Sequence, residues 1–274
     1  MLLTLGVLWH AVRPGVWQTV MPMANDGPLS VVHAIAIRLD PSRLRFDLAT
    51  GDDGKRWTIE RMPDASVVAF NAGQFRGPWP WGWVVQDGSE TQEPGGGTVA
   101  MSFVVDSAGR ASLVMPNELP LVRGHVQLAF QSYPALLIGN GAEPWELQAP
   151  GRGVDLEHRD SRLAIGTLED GAVVVVVTRL TGLGRGGETL PFGPTVREMA
   201  AFMRSLGCQR AMLLDGGISS QLALRDASGE VRSWKNWRAV PLGLVVTPRP
   251  LDVTPLTPQA KQRQSPVRTN TKTP

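Results

Sequence analysis

Five consecutive valines, Val173–Val177, follow Ala172 near the end of the stretch RLAIGTLEDGAVVVVVTR (162–179). Side chains branched at Cβ lose rotamer freedom in a helix and pack well on a pleated surface. A short apolar run held between a turn and Thr178-Arg179 therefore reads as a buried strand. The triplet Glu169-Asp170-Gly171 just before it is a turn signal, which makes the whole stretch a hairpin of two strands. Similar signals recur along the chain. VVHAIAIRLD (31–40) is a β-branched strand that ends at Pro41, and SVVAFNAGQF (66–75) is a strand running into a glycine turn. VAMSFVVDSAGRASLV (99–114) is a hairpin around Asp106-Ser107-Ala108-Gly109. HVQLAFQSYPALLIGNG (125–141) is a strand with a turn at its end, and RAVPLGLVVTP (238–248) is the last strand.

One segment carries helical spacing. In TVREMAAFMRSLGC (195–208), Val196, Met199, Ala200, Met203 and Leu206 fall on one face. Thr195 with Glu198 three residues on makes a capping box, and Gly207 is a C-terminal stop. Thirty glycines and 22 prolines against 19% charged residues suit a loop-rich fold of many short strands. Strands arrive as hairpins and do not alternate with helices. The expected fold is therefore α+β, a mixed or antiparallel sheet built of hairpins with one prominent helix (195–207) packed on it.

Lys261, Arg263, Arg268 and Lys272 lie beyond residue 252 with no acid among them. Subtracting those four from the formal +2 leaves residues 1–252 at −2. The positive charge belongs to the tail, so no basic face for nucleic acid is expected. Residues 251–274, rich in Pro, Thr, Gln, Lys and Arg, read as a disordered basic tail. The start is apolar from Leu2 to Leu8, without a cationic lead-in or a clear cleavage site, and the run is too short to span a membrane. Residues 1–30 are thus an extension, a signal remnant or a first strand, and residues 31–250 are the main domain. Cys208 is the only cysteine, so no intramolecular disulfide forms, and a buried apolar role fits it. His10, His33, His125 and His158 lack metal-ligand spacing, so neither a metal nor a cofactor is expected.

The chemistry concentrates in LDGGISS (214–220), where a short buried strand runs into Asp215-Gly216-Gly217. That order places a carboxylate at a sheet rim. The glycines allow close backbone approach to a ligand, Ser219 and Ser220 add hydroxyls, and the N–H groups of the loop suit an anion. A plain tight turn with a capping Asp accounts for the same residues.

The segment GPTVREMAAFMRSLGCQRAMLLDGGISSQL (193–222) resembles the signature of the phosphodiester glycosidases, a "G-x-T-x-x-E-[LM]-A" helix followed by "A-x-x-L-D-G-G-G-S". FNAGQF (70–75), QSYPALLIGNG (131–141), SRLAIGTLEDG (161–171) and WRAVPLGLVV (237–246) resemble further blocks of that family in the right order. Ile218 stands where the family usually has a third glycine, Ala72 where it has a glycine, and Leu163 where it has a threonine. The resemblance implies hydrolysis of a sugar C1–O–phosphate linkage, with the phosphate left on the acceptor. It also implies an exported protein acting on a small or polymeric sugar phosphate, with no stable membrane insertion. Asp215 is then the acid or base, with Arg162 and Asn71 beside it as catalytic residues. Arg238 would hold the phosphate by its guanidinium fork, and Gly216, Gly217, Ser219, Ser220 and Gly73 would line the substrate.

Each assignment has a structural rival. Asn71 also fits a turn cap, Arg162 a rim ion pair, and Glu198 a helix-capping carboxylate. Trp79, Trp81 and Trp83 suit either a sugar platform or edge-strand packing. An altered D-G-G-I-S loop that binds sugar phosphate without turnover is the alternative function, and an interaction protein acting through the basic tail is a third.

Overall fold

The computed structural model describes residues 7–24, 27–51, 56–181 and 189–250. Seven strands make the largest sheet. In order across it they are β1 (His10–Arg13), β2 (Val16–Pro22), β3 (Val32–Leu39), β15 (Val173–Leu180), β14 (Leu163–Thr167), β16 (Arg210–Leu213) and β13 (Ala135–Ile138). A second sheet runs β11 (Ala111–Val114), β10 (Met101–Asp106), β12 (Val126–Ser132), β8 (Val84–Gln86) and β9 (Ser89–Gln92). A third runs β18 (Val231–Lys235), β17 (Gln221–Arg225), β5 (Val68–Asn71), β19 (Leu242–Pro248) and β4 (Leu44–Thr50). β6 (Phe75–Arg76) and β7 (Trp79–Pro80) pair on their own. Every strand pairing among the described residues is antiparallel. The sheet expected from sequence is thus three sheets, and their inner faces share one core: Ile37 and Val175 from the first, Phe103 and Phe130 from the second, Phe70 and Leu244 from the third.

The valine run explains itself here. Val173, Val175 and Val177 point into that shared core, while Val174 and Val176 point to the opposite face. On that face lies α2 (Val196–Ser205), which buries Val196, Met199, Ala200 and Met203 against Ala34, Ala36 and Ala164. Small alanines let the helix sit close to the sheet. The Thr195–Glu198 capping box is formed in both directions, and Gly207 closes the helix at φ 89°. The remaining α-helix among the described residues is a single turn, α1 (Leu119–Val122), over the back of the second sheet. No helix of the described residues is long and apolar enough to cross a membrane.

Segment 125–141 proves to be two strands in different sheets. The chain crosses from β12 to β13 at Tyr133–Pro134, whose peptide is cis. Residues 7–22, read as an extension or a first strand, contribute the β1–β2 hairpin at the sheet edge. The expected tail at 251–274 and the first six residues lie outside the described residues.

Candidate active site

Four strand ends converge where the first and third sheets meet. β5 ends at Asn71, β16 ends two residues before Asp215, β14 begins just after Arg162, and β17 begins at Gln221. The backbone of Leu213 and Leu214 is pinned by N–H donation to the carbonyls of Pro134 (3.0 Å) and Leu163 (2.8 Å). Asp215 follows directly, so its position is set by sheet geometry rather than by a free loop.

Asn71 holds it there from behind. This residue is fully buried; its Nδ2 donates to the Asp215 carbonyl at 2.7 Å and its Oδ1 accepts from the Gln221 N–H at 2.8 Å. Both ends of the amide are committed to backbone, so Asn71 joins β5, the Asp215 loop and β17 as a positioning residue. It presents nothing to a substrate.

A cavity of about 280 Å³ opens in front of Asp215, lined also by Asp160, Arg162, His158, Gln74 and Tyr133. Burial raises the Asp215 carboxyl from 3.8 to about 6; the Ser219 hydrogen bond and the Arg238 charge pull the other way, and the Asp160 charge adds to the rise. Oδ2 of Asp215 is buried and has no hydrogen-bond partner. Asp160 is a second carboxyl in the same cavity. Burial raises it as well, against the opposing Arg162 charge, and its Oδ1 is likewise buried without a partner. His158 Nε2 stands 3.6 Å from its Oδ2. Nothing in the composition pointed to Asp160, yet it lies only two residues before Arg162 in RDSRLAIG.

Arg162 is drawn into the cavity wall, where its Nε donates to the Pro194 carbonyl (3.0 Å) and its Nη2 to the His158 carbonyl (2.5 Å). Burial lowers its pKa, opposed by Asp160 and Asp155. A guanidinium remains charged through any such shift. With two donors spent on carbonyls it acts as a fixed positive charge rather than as a free fork. Arg238 lies elsewhere. It is exposed, sits 4.8 Å over the Phe75 ring, and lines a neighbouring cavity of about 360 Å³ with Trp237 and Lys235. Its charge reaches Asp215 even so.

The Gly216–Ser220 turn differs from the anion cradle read from sequence. The N–H of Gly217 donates to Ser161 O (2.7 Å), that of Ser219 to Gly216 O (3.1 Å) and that of Ser220 to Gly217 O (3.2 Å). Two of those donors are consumed within a 3-10 turn and the third by the Ser161 carbonyl. The glycines are needed for packing: a Cβ at Gly216 would lie 2.8 Å from Ser161 O, and one at Gly217 would lie 2.5 Å from Asp160 Oδ2. Gly217 also has φ 57°, a left-handed value that favours glycine. Of the two serines, Ser219 reaches the Asp215 carboxylate, whereas Ser220 is buried with its hydroxyl against Ser161 Oγ at 3.2 Å. Gly73 is also a packing residue, since a Cβ there would collide with the Gln131 carbonyl oxygen. Ile218 does not line the Asp215 cavity; its carbonyl accepts the Arg238 N–H at 3.0 Å.

On the opposite wall, Gln74 from FNAGQF accepts from the Tyr133 N–H (2.9 Å) and the Ser132 hydroxyl (2.6 Å) through Oε1, and its Nε2 donates to the Tyr133 carbonyl. The Tyr133 ring meets Trp81 edge-on at 4.8 Å. The three tryptophans, read as either a sugar platform or edge-strand packing, have different surroundings: Trp83 is buried and bonds Glu90, Trp81 backs Tyr133, and Trp79 is exposed. Glu198 is a structural carboxylate, closing the capping box and taking a two-pronged contact from Arg159 at 2.7 and 2.8 Å. Cys208 is buried, and its thiol is pushed up to about 12 by burial.

Comparison with known proteins bears on this arrangement. Among curated proteins none matches the sequence. The catalytic domain of zebrafish N-acetylglucosamine-1-phosphodiester alpha-N-acetylglucosaminidase, solved in a form auto-inhibited by its pro-peptide, superposes with a TM-score of 0.65 at 18% identity, covering 88% of this chain and 86% of that one. A hypothetical protein from Synechocystis superposes at 0.58 with 14% identity, over 89% of this chain and 64% of that one. At such identities the likeness concerns the fold. The sequence model of the phosphodiester glycosidases matches residues 64–247, a span that includes Asn71, Asp160, Arg162, Asp215 and Arg238. This chain therefore belongs to the phosphodiester glycosidase family.

Proposed function

We propose that the protein hydrolyses the sugar C1–O–phosphate linkage of a glycosyl phosphodiester, releasing the sugar and leaving the phosphate on its acceptor. The observation that carries this reading is Asp215, a carboxyl raised to about 6 whose Oδ2 is buried and unpartnered at the floor of a cavity. A carboxyl poised near the working pH exchanges protons effectively in either direction. An unpartnered oxygen leaves room for a proton on water or on the substrate. Arg162 supplies fixed positive charge in the same cavity for the phosphoryl oxygens, and Arg238 adds charge from the adjoining one. A phosphate ester leaves as a stable anion, so the site needs less acid help than one expelling an alkoxide. The family's N-acetylglucosamine chemistry makes that sugar the first to test. Family membership also supports export to the periplasm or beyond.

The p-nitrophenyl phosphodiester of α-N-acetylglucosamine distinguishes the bonds. In water labelled with heavy oxygen, scission at C1–O leaves p-nitrophenyl phosphate unlabelled, scission of the sugar-side phosphorus–oxygen bond puts the label on that phosphate, and scission on the aryl side releases p-nitrophenol. Wild type should release sugar, and Asp215→Asn should lose about 10²–10⁴ in turnover while remaining folded. Equal rates from both proteins would remove Asp215 from the chemistry. The altered Asp215–Ser219 turn favours one second reading, a module that binds sugar phosphate without turnover, which calorimetry on the same compound would reveal.

A further inference from the structure

We infer that Asp160 is the second catalytic carboxyl of this site, removing the proton from the attacking water while Asp215 supplies one to the departing phosphate oxygen. This rests on the hydrolytic reading above and deepens it. Four features of the geometry converge on Asp160. It lines the same cavity as Asp215. Its Oδ1 is buried without a partner, although a purely structural aspartate in such a place ordinarily has its oxygens satisfied. Its other oxygen lies against Gly217, where any side chain would displace it, since an added Cβ would stand 2.5 Å away. Finally, its contact with His158 is a loose 3.6 Å approach that ties down neither group.

The surroundings divide the labour. Burial raises Asp160, and the Arg162 guanidinium in the same cavity opposes that rise and favours its ionised form. Asp215 has Ser219 and the more distant Arg238 on one side and the Asp160 charge on the other, and it is held near 6. Burial raises both carboxyls, but a guanidinium stands near one and a hydroxyl beside the other, and two carboxyls of one cavity that face different partners are suited to act as base and acid. In the step itself, Asp160 takes a proton from water as the water oxygen bonds to C1. The C1–O bond breaks and its electron pair leaves with the bridging oxygen, which takes the Asp215 proton. The products are the free sugar and the acceptor phosphate monoester. Asp160 ends protonated and Asp215 ionised, and exchange with solvent resets them.

Asp160→Asn and Asp160→Ala, each checked by circular dichroism, are assayed on the p-nitrophenyl phosphodiester beside wild type. The expected result is a kcat lower by about 10²–10⁴ with KM little changed. In Asp160→Ala, sodium azide should restore turnover and give the glycosyl azide, because the azide anion attacks without needing a base. A merely structural role would produce no azide adduct. Turnover within about threefold of wild type in both variants, on the same scale of effects, would overturn the assignment. If wild type itself releases no sugar, the hydrolytic reading fails separately, and carboxyl NMR titration decides the pairing. Loss of the Asp160 charge should lower the Asp215 pKa, and an unmoved Asp215 would overturn the coupling.

Discussion

Burial lifts the Asp215 carboxyl from 3.8 to about 6, so folding is linked to keeping a proton on it. Between those two values the folded protein holds more protons here than the unfolded chain does, and stability therefore falls as pH rises through that window. Above pH 7 the full difference, about 3 kcal/mol for a shift of about two units, weighs against the native state. Asparagine has no charge to bury. Asp215→Asn should escape that penalty, keep a group that accepts from Ser219, and lose about 1 kcal/mol for placing an amide N–H where Oδ2 has no partner. The net expectation is a gain of about 2 kcal/mol at pH 8, or about 4–8 °C in Tm for a chain of this size. At about pH 4.5 the carboxyl penalty shrinks to about 1 kcal/mol and the two proteins should melt together. Calorimetric scans of both proteins from pH 4.5 to 8 test this, since the groups they share cancel in the difference. A difference that stays flat with pH, or a variant less stable than wild type at pH 8, would refute the burial argument. A variant more stable and less active would identify Asp215 as a residue whose cost to stability is tied to its use.

Asn71→Ala should lose about 3 kcal/mol, because it orphans the buried Gln221 N–H and the Asp215 carbonyl together, and urea melts would measure it. The surviving folded fraction should also show reduced turnover, since Asp215 loses its rear support; unchanged stability would mean that another donor takes over. Export predicts that the protein is recovered from the periplasmic or extracellular fraction of the cells that make it, and recovery only from the cytoplasm would count against it.

The site was legible in sequence as far as local chemistry reaches. Asp215 at the end of a buried strand, the capping box at Thr195 and the hairpin at 162–179 all depend on neighbours within a few residues, and the structure has each of them. Arg162 was legible as a cation of the site, but two of its donors proved to be spent on carbonyls contributed by residues 158 and 194. Asn71 announced itself by type while its purpose stayed hidden, because both of its partners lie about 150 residues away. The N–H groups of the loop were read as suited to an anion; those of Gly217, Ser219 and Ser220 are instead bonded to Ser161 and within a 3-10 turn, a matter of backbone torsions that side-chain identity does not dictate.

By itself, then, the sequence determined several of the strands and the helix at 195–207, since residue spacing reports burial and Cβ branching reports backbone preference; the strands at 44–50 and 231–235 were not among those read from it. It also determined the family, through blocks kept in order. Only the tertiary structure decided that most of the strands divide into three large sheets around a shared core, with β6 and β7 pairing apart, and that segment 125–141 changes sheets at Tyr133–Pro134. It alone separated Arg238 from the Asp215 cavity and brought Asp160 into it. A carboxyl's function depends on how much water it loses and which charges it faces. Both are sums over groups distant in the chain, and they exist only once the sheets have packed.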